Sequence, residues 1–133
     1  MIPDIKYLLP YLPYGLTGIV MESNNENHIL LMTGINTYFD EPKIETFGLN
    51  GYDTCSVEKF KPILKPLNSL RKNYSEWERN MISELEKVEY DINDLPVKIF
   101  TDLIKYHYDV YYLIDDNLGV NNKDTLTYLN LKK

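Results

Sequence analysis

Two histidines, one cysteine and twenty carboxylates are the groups with which this 133-residue chain could do acid–base, nucleophilic or metal chemistry. Glu22, Glu26 and His28 stand close enough in sequence to meet a cation, because carboxylate oxygens and imidazole nitrogens are ordinary metal ligands. The asparagines between them explain the same stretch as turn chemistry, so a hydrolytic or metal site there ranks last among the readings. Asp115 and Asp116 have the form of a metal pair. Near the C-terminus of a helix they are electrostatically unfavourable, although water makes that cost small. His107 shares an apolar face with Phe100, Leu103 and Tyr111, which fits a hydrogen-bonded core histidine better than a ligand. Asp109, two residues on, falls on another face of the same helix and cannot form a dyad with it. Cys55 has no basic or histidine neighbour to activate its thiol and reads as a small packing side chain. Glycine-rich phosphate loops, H-E-x-x-H, G-x-S-x-G and paired cysteines are all missing. The expectation is a chain that is not an enzyme and takes no metal or cofactor.

The element expected to organise the chain runs from 94 to 119. Ile99, Phe100, Leu103, Tyr106, His107, Val110, Tyr111, Leu113 and Ile114 fall three and four apart, leaving Lys98, Asp102, Lys105, Asp109 and Asp116 as one polar stripe. Asp94 and Pro96 suit its first turn and Gly119 its end, which predicts a central helix over 94–118. Ser75-Glu76-Trp77-Glu78 reads as a capping box in which Ser75 accepts from the amide of Glu78 and Glu78 reaches back to that of Ser75. The stripe Trp77, Met81, Leu85 and Val88 then predicts a helix over 75–90, anchored on the central one by Trp77.

The first half reads differently. Pro10 and Pro13 among Tyr7, Tyr11 and Tyr14 predict an extended opening packed along the core. Runs at 16–21 and 28–33 suggest one hairpin, and 44–49 with 52–57 a second, joined by Asn50-Gly51 as a type I′ turn. Pro62 and Pro66 make 58–72 an edge strand or extended crossover. Residues 121–130 allow a short third helix, marginal at that length. The fold class expected is α+β in a single domain over 1–133, with 1–67 mainly β and extended: two small antiparallel β-hairpins packed on the central amphipathic helix, a second helix alongside.

Charge narrows the partners. The net charge is −6 and is concentrated in the helical half, where residues 75–124 carry twelve acids against five bases. A surface of that sign repels phosphate backbones and attracts basic protein surfaces, which argues against direct nucleic-acid binding by this half. Twelve tyrosines fit a contact surface or core edge, where a ring is buried and a hydroxyl stays wet. The absence of a long apolar run, of a signal-peptide pattern and of a second cysteine leads us to expect a cytoplasmic protein that does not touch the membrane.

Three blocks carry a resemblance. Leu9-Pro10-Tyr11-Leu12-Pro13-Tyr14-Gly15-Leu16, then Lys61-Pro62-Ile63-Leu64-Lys65-Pro66-Leu67, then Asp94-Leu95-Pro96 followed by His107-Tyr108-Asp109-Val110-Tyr111 and Leu113-Ile114, resemble small hypothetical proteins common in phages and prophages of Bacteroidetes. That family is of unknown function, so no catalytic residue is carried over. The resemblance implies a phage-encoded accessory protein acting in the bacterial host cytoplasm. With the acidic surface it suggests a non-enzymatic inhibitor of a host defence nuclease, in the manner of an anti-CRISPR protein, whose partner is an RNA-guided effector holding nucleic acid in a basic channel. The contact residues expected are Trp77, Glu78, Glu84, Glu86, Tyr108, Tyr112, Asp115 and Asp116. The alternative is a phage accessory protein that binds DNA or RNA through Lys59, Lys61, Lys65, Arg71 and Lys72.

Overall fold

The computed structural model describes residues 5–21, 27–37, 41–49 and 51–125. Strands β1 (Thr17–Met21), β2 (Asn27–Asn36), β3 (Lys43–Gly48), β4 (Gly51–Ser56), β5 (Phe60–Leu64) and β6 (Val120–Asn121) form one six-stranded sheet in the order β4-β3-β2-β1-β5-β6. All neighbours are antiparallel except β5 and β6. Two helices, α1 (Glu76–Lys87) and α2 (Val97–Lys105), are joined by a segment with one short 3₁₀ turn over Ile92–Asp94. The expected pair of separate hairpins on a central helix is therefore wrong. β1 lies between β2 and β5, so the sheet is continuous, and its buried residues share one core with those of the helices.

Alternation along the strands explains how the sheet is covered. Ile44 and Thr46 on β3 are buried while Glu45 and Phe47 between them are exposed, and Phe60, Pro62 and Leu64 are buried along β5. Val20, Met32, Ile44, Phe60 and Leu64 join Leu85, Leu103, Ile104, Val110 and Leu113 in one core. Gly18 permits this packing: a Cβ there would lie 2.4 Å from the Phe60 ring. β5 is not the expected edge strand. β6 reaches only Ile63 and Leu64, which leaves one side of Pro62 with no strand asking for an amide. Gly48 pairs with Gly51, so Gly51 is the first residue of β4 rather than the second residue of a turn; Asn50, its expected turn partner, lies outside the described residues.

The central helix of 94–118 is the largest correction. Helix α2 is nine residues long and stops at Lys105. His107 takes a left-handed φ of 65°, its amide bonds Ile104 at 2.9 Å, and the amide of Tyr108 bonds Leu103 at 2.9 Å, which together close the helix. The chain then runs beside the continuation of β5: the amide of Lys65 bonds the carbonyl of His107 at 2.9 Å and that of Asp109 bonds the carbonyl of Lys65 at 2.8 Å. Asp109, expected on an exposed stripe, is buried. Gly119 closes no helix and packs between Leu113 and Leu64. Asp94 ends a 3₁₀ turn, leaving Pro96 at the N-cap position of α2.

The opening segment is not extended. It forms 3₁₀ turns over Ile5–Tyr7 and Leu9–Tyr14, with Pro10 near the start where a missing amide costs nothing. Leu8 and Tyr11 are fully buried. The Tyr11 hydroxyl donates to the carbonyl of Tyr108 and accepts from the amide of Val110 at 3.4 Å, tying the N-terminus to the segment after α2. Burial keeps this phenol well above its ordinary pKa and therefore un-ionised. Tyr11→Phe removes both of these bonds and leaves the Tyr108 carbonyl and the Val110 amide only the 3.0 Å bond they make to each other, at an expected cost of about 1 kcal/mol by urea denaturation with the slope unchanged. Of the expected third helix, the described part is a 3₁₀ turn over Asn122–Asp124, and 126–130 lie outside the described residues.

Candidate functional site

Three segments that are far apart in sequence meet on one face. Helix α1 ends with Glu89 and Tyr90 both left-handed, at φ of 54° and 60°. The amide of Glu89 bonds Glu86 and that of Tyr90 bonds Leu85 at 2.8 Å, a closure usually made by glycine. From the other side come residues 109–117, organised by Asp109. Its carboxylate accepts from the amides of Leu113 at 2.8 Å and Ile114 at 2.9 Å and so holds a tight turn with Tyr112 at φ 56°. Burial raises the pKa of this carboxyl; the two amides pull it down, and Asp115 and Asp116 push it up. The third segment is the N-terminal turn carrying Lys6 and Tyr7.

These supports set Tyr90 and Tyr112 side by side. The Tyr112 hydroxyl donates to the carbonyl of Tyr90 at 3.2 Å, and the two side chains are 39% and 41% exposed, Tyr112 and Tyr90 respectively. A hollow of about 600 Å³ opens on one side, lined among others by Lys6, Tyr7, Tyr90, Asp91, Tyr111 and Tyr112. A second of about 280 Å³ lies on the other, lined among others by Leu67, Tyr90, Asp109, Tyr112 and Asp115. Tyr7 and Tyr111 pack with ring centroids 4.8 Å apart, and Asp91 accepts from the amide of Asn93 at 3.0 Å. Partial burial raises the Tyr112 pKa, with further contributions from Tyr90, Asp109, Asp115 and Asp91. Left-handed non-glycine residues are strained, and they concentrate where the surrounding structure needs an unusual backbone. Four half-wet phenols beside two exposed carboxylates offer ring faces and oxygen acceptors to cationic or guanidinium groups.

The sequence-derived contact residues divide into three groups. Trp77 is half-buried against Tyr106, with centroids 5.1 Å apart, and against Tyr108, so it anchors α1 on the end of α2. Tyr108 is itself buried, under Lys65, whose Nζ is 5.4 Å from the ring centroid. Glu78 accepts from the amide of Arg71 at 2.6 Å instead of reaching back to Ser75, although Ser75 does accept from the amide of Glu78 as expected. These three are internal contacts. Glu84 pairs with Lys87 at 3.2 Å and Glu86 with Lys72 at 2.9 Å, which neutralises much of the acidic surface attributed to α1. Only Tyr112 and Asp115 line the open face; Asp116, next in the chain, is exposed but lines neither hollow. Tyr7, Tyr90, Asp91 and Tyr111 complete it and were missed; the tyrosine excess was the one signal available.

The basic residues of 59–72 do not form a stripe. Lys61 reaches the Oδ1 of Asn117 at 3.4 Å, Lys65 covers Tyr108, Arg71 lies over Tyr74 at 5.6 Å, and Lys72 pairs with Glu86. His107 is at a helix end rather than on a helix face, and its Nε2 lies 2.7 Å from the carbonyl of Tyr14. His28 is on β2 and Cys55 on β4, both half-buried. Glu22 and Glu26 lie outside the described residues. Among the described residues no three His, Cys, Asp or Glu side chains come together as a metal site, and no helix is long and apolar enough to cross a membrane. In comparison with known proteins, the chain matches no family model, no curated protein and no solved structure.

Proposed function

We propose that this chain is a non-enzymatic binding protein that sets the tyrosine-lined, acidic face around Tyr90 and Tyr112 against a basic surface of a bacterial protein. The phage resemblance makes an RNA-guided defence nuclease in the host cytoplasm the partner of choice, with the chain acting as an anti-CRISPR-type inhibitor. The observation that carries the reading is the juxtaposition of Tyr7, Tyr90, Tyr111 and Tyr112 with Asp91 and Asp115 around two open hollows. Aromatic anchors with charged neighbours at the rim are the usual energetic centre of a protein interface. The dispersal of the 59–72 bases weighs against the nucleic-acid alternative.

The test is a pull-down of the tagged protein from nuclease-treated bacterial lysate, with the retained protein quantified. Asp115 and Asp116 are exposed and form no hydrogen bond or ion pair among the described residues, so their reversal leaves the fold alone. Asp115→Lys with Asp116→Lys is expected to reduce retention at least about tenfold, whereas Glu84→Lys with Glu86→Lys changes it less than about twofold. Equal retention by all variants, or retention of nucleic acid alone, overturns the reading.

A further inference from the structure

A third hollow lies on the sheet and shares no lining residue with the two of the tyrosine face. It holds about 240 Å³ and is lined by residues of β1 to β4 and of the turn that follows, among them Lys43, Thr46, Asp53, Cys55, Ser56 and Lys59. Ser56 stands at the N-cap position of the Val57–Lys59 turn, where serine ordinarily accepts a backbone amide, yet its side chain makes no such bond. Its Oγ is buried and has no hydrogen-bond partner among the described residues. A buried hydroxyl left unpaired is destabilising, and such groups call for an explanation.

The charges at the cavity point the same way. Although acids outnumber bases by six in the whole chain, neither Lys43 nor Lys59 has an ion-pair or hydrogen-bond partner among the described residues. Lys61, Lys65, Lys72 and Lys87 are all engaged elsewhere. Asp53 lines the cavity too, but its Oδ1 accepts from the amide of Thr54 at 2.8 Å and it forms no ion pair with either lysine among the described residues. Two unanswered ammonium groups and an unanswered hydroxyl thus share one hollow, walled on the apolar side by Val20 and Leu30.

We infer that this cavity binds a small oxyanion, a phosphate or carboxylate group carried by a small molecule, with Lys43 and Lys59 supplying charge and Ser56 Oγ donating. The volume lies below the roughly 300–1,000 Å³ that holds drug-sized ligands, so the ligand is an anionic group with a body of a few atoms. Val20 and Leu30 face that body. A nucleic-acid backbone fits less well, because two lysines beside the Asp53 carboxylate neutralise few phosphates.

The experiment is an amide-resolved NMR titration of the whole chain at constant ionic strength, with inorganic phosphate in one arm and acetate in the other. Saturable shifts are expected at Thr46, Thr54, Cys55 and Ser56 in at least one arm, and the tighter arm names the anionic group. Lys43→Met with Lys59→Met is expected to weaken that binding at least about tenfold, and Ser56→Ala about fivefold, with the remaining spectrum unchanged. No saturation in either arm below about 50 mM overturns the inference. So does equal affinity in the double lysine variant, shifts spread over Lys98 and Lys123, or tighter binding of a short single-stranded oligonucleotide at the same amides.

Discussion

Replacing Asp109 with alanine is expected to lower the unfolding free energy by about 2–4 kcal/mol. Among the described residues the carboxylate is the only acceptor given to the amides of Leu113 and Ile114, at 2.8 and 2.9 Å, and Leu113 is buried. Alanine leaves both donors without this partner, the Leu113 amide in a buried position and the Ile114 amide in a half-buried one, and a buried orphan costs roughly 1–3 kcal/mol. Part of that loss is returned because a buried charge is removed at the same time. Asp109→Asn keeps one acceptor and should cost about 1 kcal/mol. The two variants also separate by pH. Burial raises the folded-state pKa above the ordinary carboxyl value, so the protonated form is favoured by folding. The stability this contributes is complete below the unfolded pKa and is lost as pH rises through the raised folded value. Denaturation midpoints should therefore show wild type losing ground to Asp109→Asn as pH climbs from acid toward neutral. A constant gap between the two would mean that Asp109 titrates normally.

Phe60→Ala is expected to have the larger effect, about 3–5 kcal/mol, because Phe60 is fully buried and its ring covers Gly18 between β1 and β5. Gly18→Ala approaches the same contact from the other side. Its new methyl group would meet ring atoms at 2.4, 2.5 and 2.8 Å, so the ring must move, at a cost of about 1–3 kcal/mol. In the double variant the methyl group enters space the ring has left. The combined loss should fall short of the sum by about 1 kcal/mol, and strict additivity in urea denaturation would show that the two residues do not share a contact.

Why the sequence misled at 94–118 is visible in two residues. The apolar spacing continues through Val110, Leu113 and Ile114, and all three sit in or against the core, so the pattern reported burial correctly. It could not report that His107 turns left-handed, since histidine is only modestly enriched in that conformation, or that Lys65, forty-two positions earlier, would capture the following segment. Long-range pairing overrode a local period. The prolines misled in the opposite direction. Pro62 was taken to exclude an inner strand, but β6 is two residues long and makes no demand on it. Pro10 and Pro13 were taken to exclude helical turns, which a 3₁₀ segment tolerates.

The site was legible only in part, for a related reason. Tyr112 and Asp115 could be named from the acidic, tyrosine-rich end of the chain. Tyr7, Tyr90, Asp91 and Tyr111 could not, because the turn at 5–7, the end of α1 and the segment after α2 become neighbours only in the fold. The α1 acids were over-weighted since their counter-charges, Lys72 and Lys87, are visible as partners only once the helix is placed.

The most direct test of the docking face is site-specific photocrosslinking in bacterial cells. A photoreactive phenylalanine analogue at position 112 should yield one dominant crosslinked protein, identified by mass spectrometry, and the same analogue at position 84 should yield little of it. A dominant adduct from position 84 with none from 112 would contradict the account and return the interface to α1.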